Sequence, residues 1–254
     1  DVLVGQLSQS FSEASLSLFV RQAAAIALKK YVRKRWSIFF DTFTQDMVVN
    51  GIVQTVDATP VEAKEHIRTS LLACLCDAEP KVRSQASDIL SLISSCDFPD
   101  HFPQLLPTLQ AYLHSYTEQD AHAAYKVHGA MKFLLDLVHV ELDENQLLMV
   151  AQQLVPLLQG IVSSSSDWIT PHTRARCINV FHQCLISLYM AKDTYVDTVH
   201  MVTTHYLPPW LQGMQVLMSP DFFNSANWQE PVTWEQLGLR HAGSNTHLRG
   251  HATG

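Results

Sequence analysis

Apolar residues recur along most of this chain at intervals of three and four. The sets Val20, Ala24, Ala27, Tyr31 and Val82, Ala86, Ile89, Ile93 each place one greasy stripe along a helix. The same spacing returns in Leu105, Leu109, Leu113, in Val127, Ala130, Leu134, Leu137, in Leu147, Ala151, Leu154, Leu158, and in Cys177, Val180, Cys184, Leu188. No stretch alternates with a period of two, so the pattern predicts helices and no strands.

Start signals fall where these stripes need them. Thr59-Pro60-Val61-Glu62 offers a capping hydroxyl, a proline in the first turn where its missing N–H costs nothing, and a glutamate able to return the cap bond. Thr170-Pro171 repeats the first two elements, with weaker versions at Asp97-Phe98-Pro99 and from Asp77 to Pro80, and Ser163 to Asp167 reads as a loop. In order, the helices form hairpins: about 60–76 with 80–96, 99–115 with 120–140, and 145–160 with 171–191. Residues 37–58, with Gly51 and few charges, read as an extended connection.

The second helices superpose through Val20-Arg21, Val82-Arg83, Val127-His128 and Thr173-Arg174, which are 62, 45 and 46 residues apart. A period in the mid-forties is that of HEAT-type repeats. A lone hairpin has apolar residues on more than one side, so each must be covered by the next. The expected fold is all-α, an α-solenoid of about four to five helical hairpins at about 1–36, 60–96, 97–141 and 145–191, with a further one starting over 193–218. Residues 219–254 are expected to form a connecting segment and a disordered tail, because His241 to Gly254 abandons helical periodicity.

Composition narrows the function. The 254 residues are 47% hydrophobic with only 9 glycines, which permits a large core. A net charge of −7 argues against nucleic acid or an anionic membrane as principal partner. The charge is uneven: Arg21, Lys29, Lys30, Arg33, Lys34 and Arg35 fall between Val20 and Trp36 with no acid among them, leaving −13 elsewhere. That helix suits an acidic partner, and the rest suits basic ones.

Five scattered cysteines (Cys74, Cys76, Cys96, Cys177, Cys184) form no disulfide framework, which points to a reducing, intracellular setting, and Cys74 and Cys76, two apart on a helix, read as buried small hydrophobes. Leu147 to Val162 is interrupted by Gln152, Gln153 and Gln159 and reads as too polar and short for a bilayer span. His241, His247 and His251 have no framework, and His122 and His128 are six apart on a helix, so no metal is expected. Phosphate loops, nucleophile elbows and His-Glu-x-x-His are missing, so neither catalytic residues nor cofactors are assigned and no enzyme is expected. The chain opens on Asp1 in mid-pattern and is expected to be a fragment.

The stretch from Val20-Arg21-Gln22-Ala23-Ala24 to Lys29-Lys30-Tyr31-Val32, closing with Trp36, resembles the first-repeat signature of the importin-β (karyopherin-β) superfamily. Asp97-Phe98-Pro99 with Phe102-Pro103-Gln104-Leu105, then Val127-His128-Gly129-Ala130-Met131, then Arg174-Ala175-Arg176, extend the likeness in order. It covers roughly residues 1–240, including Trp234-Glu235-Gln236-Leu237-Gly238-Leu239, and lies nearest the importin-9-like branch. It departs at the start, where only Val2 to Phe11 precedes the basic helix.

The resemblance implies the N-terminal quarter of a nuclear import receptor that shuttles between cytoplasm and nucleus. Such receptors bind basic cargo such as histones and ribosomal proteins, contact Phe-Gly nucleoporins at the pores, and release cargo when the small GTPase Ran binds in its GTP form. It places Ran on the second helices, here about 18–36, 80–96 and 120–140. Lys30, Arg33 and Lys34, at i, i+3 and i+4, form one basic stripe, and Arg83 and Lys126 fall on the next two second helices. Cations at a helix C-terminus also favour its dipole, which is the competing account of the stripe. Tyr31 and Trp36 read as packing residues. A static HEAT scaffold organising a phosphatase or another complex is the alternative function.

Overall fold

The computed structural model describes residues 2–217 apart from 38–39, 41–42, 44–45, 50–51, 56–58, 119–120, 140–141, 165–168, 170 and 191. The expected tail, its histidines, Trp234 to Leu239 and the Thr170 start signal lie outside the described residues. Helices follow one another as antiparallel hairpins: α1 (Val2–Ser12) with α2 (Leu18–Arg35), α3 (Val61–Cys74) with α4 (Pro80–Asp97), and α5 (Leu105–His114) with α6 (Ala121–Val138). Then α7 (Glu144–Gln153) leads into α8 (Val155–Ser163), which faces α9 (Pro171–Met190), and α10 (Val196–Met201) and α11 (Leu207–Leu217) follow, joined by a π-helical turn at Val202–Tyr206. Second helices pack in series, α2 on α4 on α6 on α9, while α1 packs on α3 and α5 on α8. One continuous core runs through the stack, from Val4 and Phe11 to Phe181 and Trp210. This is an α-solenoid.

Several local expectations shift. The buried stripe of α2 is Arg21, Ala24, Ala25, Leu28 and Val32, continued by Trp36, whereas Val20 is 43% exposed and Ala27 and Tyr31 are half-buried. Two neighbours, α1 and α4, clasp α2, so its buried sector is centred between them and is rotated about one residue from the stripe the spacing suggests. The capping box expected at Thr59 is not formed, because Pro60 is the N-cap of α3. Thr59 instead donates its hydroxyl and its N–H to the carbonyl of Arg35, both at 2.9 Å, and so ties off the end of α2. A capping box does form at Asp143 and Gln146, where no cap was expected.

The connection after α2 holds a two-stranded antiparallel ribbon, β1 (Asp46–Val49) and β2 (Ile52–Thr55), with Val49 opposite Ile52. Strands were not expected, since four residues are too few to display alternation. Further along, the segment read as one helix over 145–160 is two, α7 and α8. Pro156 lacks an N–H and crowds the preceding turn, which breaks the helix at Leu154. Asn145–Ser163 is long and apolar enough to cross a bilayer by length and composition alone, although it is divided between α7 and α8.

Three second helices carry an arginine in the first turn that reaches back across its own hairpin. Arg21 Nε donates to Phe11 O at 2.9 Å. Arg83 donates to the carbonyls of Asp77 (2.5 Å) and Ala78 (2.9 Å). Arg174 donates to Val162 O (3.1 Å), Ser164 O (2.5 Å) and Ile169 O. The last carbonyls of a helix have no partner within it, and each guanidinium supplies several donors in a fixed fork. His128 holds the matching place in α6 and is buried as well.

Burial decides the thiol chemistry. It pushes Cys74 and Cys184 up to about 12 and raises Cys177 too, against an ordinary 9.0. Alkylation of the native protein is therefore expected at the half-buried Cys76 and Cys96 alone; modification of Cys177 before unfolding, seen by peptide mass mapping, contradicts this packing. On unfolding the three buried thiols regain their ordinary value, so above it the unfolded chain holds fewer protons than the folded one. Stability is expected to fall as pH rises from about 9 towards 12, read as a declining urea midpoint.

Candidate functional site

The sequence-predicted cations fall into two groups. Lys30, Arg33 and Lys34 are all exposed on one side of the C-terminal half of α2, and no core residue requires them there. Upstream on that same side, at helical spacing, stand Ala23, Ile26 (54% exposed) and Phe19 (80% exposed). The outward side of α2 is thus apolar at its start and cationic at its end. The residues at 19, 23, 26, 30 and 33 share a helical face, so spacing makes the apolar half discoverable as well as the charged half.

Arg83 and Lys126 lie elsewhere. Arg83 is buried, its guanidinium engaged with the carbonyls of Asp77 and Ala78 and lying 5.1 Å from the centre of the Tyr125 ring. Burial lowers its pKa, partly offset by Tyr125, Asp77 and Glu79. Lys126 is partly exposed and ion-paired to Glu118 at 3.6 Å. Neither joins the stripe on α2. Tyr31 is half-buried, its hydroxyl 3.3 Å from that of Thr59 and able to donate to it, and Trp36 is fully buried, so both pack as expected.

A second charged feature crosses the second-helix layer. Lys29 on α2 meets Asp88 on α4 at 3.4 Å, and Asp88 also meets Lys132 on α6 at 3.7 Å. Lys132 pairs with Asp136 one turn on, and Asp136 accepts the hydroxyl of the buried Ser87 on α4. Arg176 on α9 stands in the field of Asp136, its pKa lowered by burial, with Nη1 buried and free of hydrogen-bond partners. Sequence spacing within single helices could not reveal this row, because every link but one joins different helices.

A buried polar knot sits beneath. Asp97 accepts the indole N–H of Trp36 (2.8 Å) and two bonds from Arg68 (3.1 and 2.5 Å), with all three side chains buried. The Arg68 guanidinium lies 5.6 Å from the Trp36 ring centre and 5.4 Å from that of Phe102. Among the described residues no group of three or more His, Cys, Asp or Glu side chains converges as a metal site. The chemistry on offer is that of a charged and apolar docking face.

Comparisons with known proteins fit this geometry. Residues 3–77 match the Importin-beta N-terminal domain. The chain is 28% identical over 202 residues to importin subunit beta-5 of Schizosaccharomyces pombe, covering 79% of this chain and 19% of that protein. It is 27% identical over 94 residues to exportin-2 of Drosophila melanogaster, covering 37% of this chain and 8% of the relative. Among solved structures, a chain of the Kap95:Nup1 complex superposes with a TM-score of 0.53 at 17% identity, over 92% of this chain and 27% of that one, a likeness of fold. The chain therefore spans about a fifth of the length of the fission-yeast relative.

Proposed function

Because the chain belongs to the importin-β (karyopherin-β) superfamily, we propose that residues 1–218 are the N-terminal repeats of a nuclear transport receptor and engage the GTP form of Ran. Cargo binding, expected for basic proteins of the histone and ribosomal kind, passage along Phe-Gly nucleoporins, and shuttling between cytoplasm and nucleus belong to the same proposal, as does a place in the importin-9-like branch. The observation that carries it is the outward side of α2, where Lys30, Arg33 and Lys34 stand exposed at the end of a helix within the matched residues 3–77. A guanine-nucleotide switch protein presenting carboxylates would find cations there and an apolar seat at Phe19 and Ile26. Arg83 acts from below, fixing the turn that orients α4, and Lys126 reaches a partner by exchanging Glu118. No catalysis is assigned to the chain. Binding alone does the work: a ligand that favours one curvature of the solenoid over another displaces whatever prefers the other.

The test is Ran affinity measured with both nucleotides. Tighter binding of the GTP form is expected, and equal affinity would overturn the proposal and favour a static scaffold. Reversing Lys30→Glu with Lys34→Glu is expected to weaken the GTP complex about tenfold or more and to flatten its salt dependence. Thermal stability should change little, since both side chains are exposed. Unchanged binding beside a lowered melting temperature would assign the stripe to the helix dipole instead.

A further inference from the structure

We infer that the charged row across α2, α4 and α6 is a salt-sensitive clasp that sets the curvature of this part of the solenoid. Lys29–Asp88 and Asp88–Lys132 join three successive second helices through a single shared carboxylate. Lys132–Asp136 and Asp136–Ser87 close the row back onto α4. Lys29 and Lys132 are matched by Asp88 and Asp136, with Arg176 of α9 beside Asp136, so the charges of the row are spent largely on one another. Among the described residues, no ion pair joins one first helix to the next, so this attraction acts on the second-helix layer only. A stack drawn together along one layer bends towards that layer. Apolar packing between hairpins holds the rods in contact while leaving small sliding open, which is the motion a clasp of this kind controls.

Exposure makes the clasp responsive. The Asp88 side chain is 43% exposed and that of Lys29 35%, so solvent ions reach both. The screening length shrinks from about 30 Å at 0.01 M salt to about 3 Å at 1 M. The buried Arg68–Asp97 and Arg21–Asp77 pairs lie beyond such screening and keep the hairpins in register while the outer row loosens. Asp88 pairs with both Lys29 and Lys132, so its loss separates α2 from the rest of the row.

Small-angle X-ray scattering on the full chain tests this. The wild type is expected to show a larger radius of gyration at high salt than at low salt. Asp88→Asn at low salt is expected to match the wild type at high salt and to respond little to further salt, while Glu62→Gln, which removes an exposed carboxylate away from the row, should behave as wild type. Salt effects on the rest of the chain are common to all three proteins and cancel in the comparison. If Asp88→Asn fails to give a cooperative melt, Lys132→Gln makes the same cut from the other side. A wild type indifferent to salt, or a cut variant as compact and as responsive as the wild type, overturns the inference.

Discussion

Asp97→Ala is expected to cost about 3–5 kcal/mol, because it leaves the Arg68 guanidinium charged, buried and without its carboxylate. The indole N–H of Trp36 loses its acceptor in the same step, deep between the first two hairpins. Urea unfolding followed by circular dichroism measures the loss. The effect should not be additive: Asp97→Leu combined with Arg68→Met is expected to be much milder than Asp97→Ala alone, since it removes both charges and fills their space. A double variant as damaged as the single one would mean that packing around Trp36, and not the uncompensated charge, dominates. Charge removal at the exposed Glu62 provides the reference for a carboxylate that no partner needs.

Gly129→Ala reverses the usual sign of a helix substitution. In an exposed helix interior, replacing glycine with alanine gains about 1 kcal/mol. Here the added Cβ would stand 1.8 Å from the carbonyl oxygen of Leu75 and 2.8 Å from its carbon, both backbone atoms at the end of α3. No rotamer change relieves such an overlap, so α6 must move off α3 and open the joint between the second and third hairpins. We expect a net loss of about 3 kcal/mol or more, seen as a lower melting temperature. A variant as stable as the wild type would show that α6 lies farther from Leu75 than described. Gly160→Ala offers a contrast, because there the nearest atom is the Tyr116 hydroxyl at 3.1 Å, the end of a side chain that can turn aside.

These two sites mark what the chain makes legible and what it hides. Hairpin pairing and the repeat period follow from apolar spacing, because a helix face long enough to be covered by two neighbours leaves a mark every three or four residues, although that spacing runs on unbroken across the boundary between α7 and α8. The arginine at the start of α2, α4 and α9 was visible as a repeated position, yet its purpose was not, since the carbonyls it serves carry no sequence signal of their own. Arg83 illustrates the cost: spacing placed it among exposed cations, while the turn between α3 and α4 draws it inward. Thr59 failed as a cap for a similar reason, its hydroxyl finding the end of α2 before the start of α3. The row through Asp88 was invisible because its members are 59 and 44 residues apart, and only stacking brings them together. The ribbon at 46–55 was the avoidable miss, since Asn50-Gly51 between Met47-Val48-Val49 and Ile52-Val53 is a strong short-range hairpin signal.

The three arginines that reach back to Phe11, to Asp77 and Ala78, and to Val162, Ser164 and Ile169 also bear on how this molecule comes apart. Surface turns are ordinarily where a protease enters, because a few residues can peel away and thread its cleft at little cost. In these hairpins, peeling a turn first means prising a guanidinium out of the interior. Nicking should therefore spare these three bends and fall instead on connections that no guanidinium anchors.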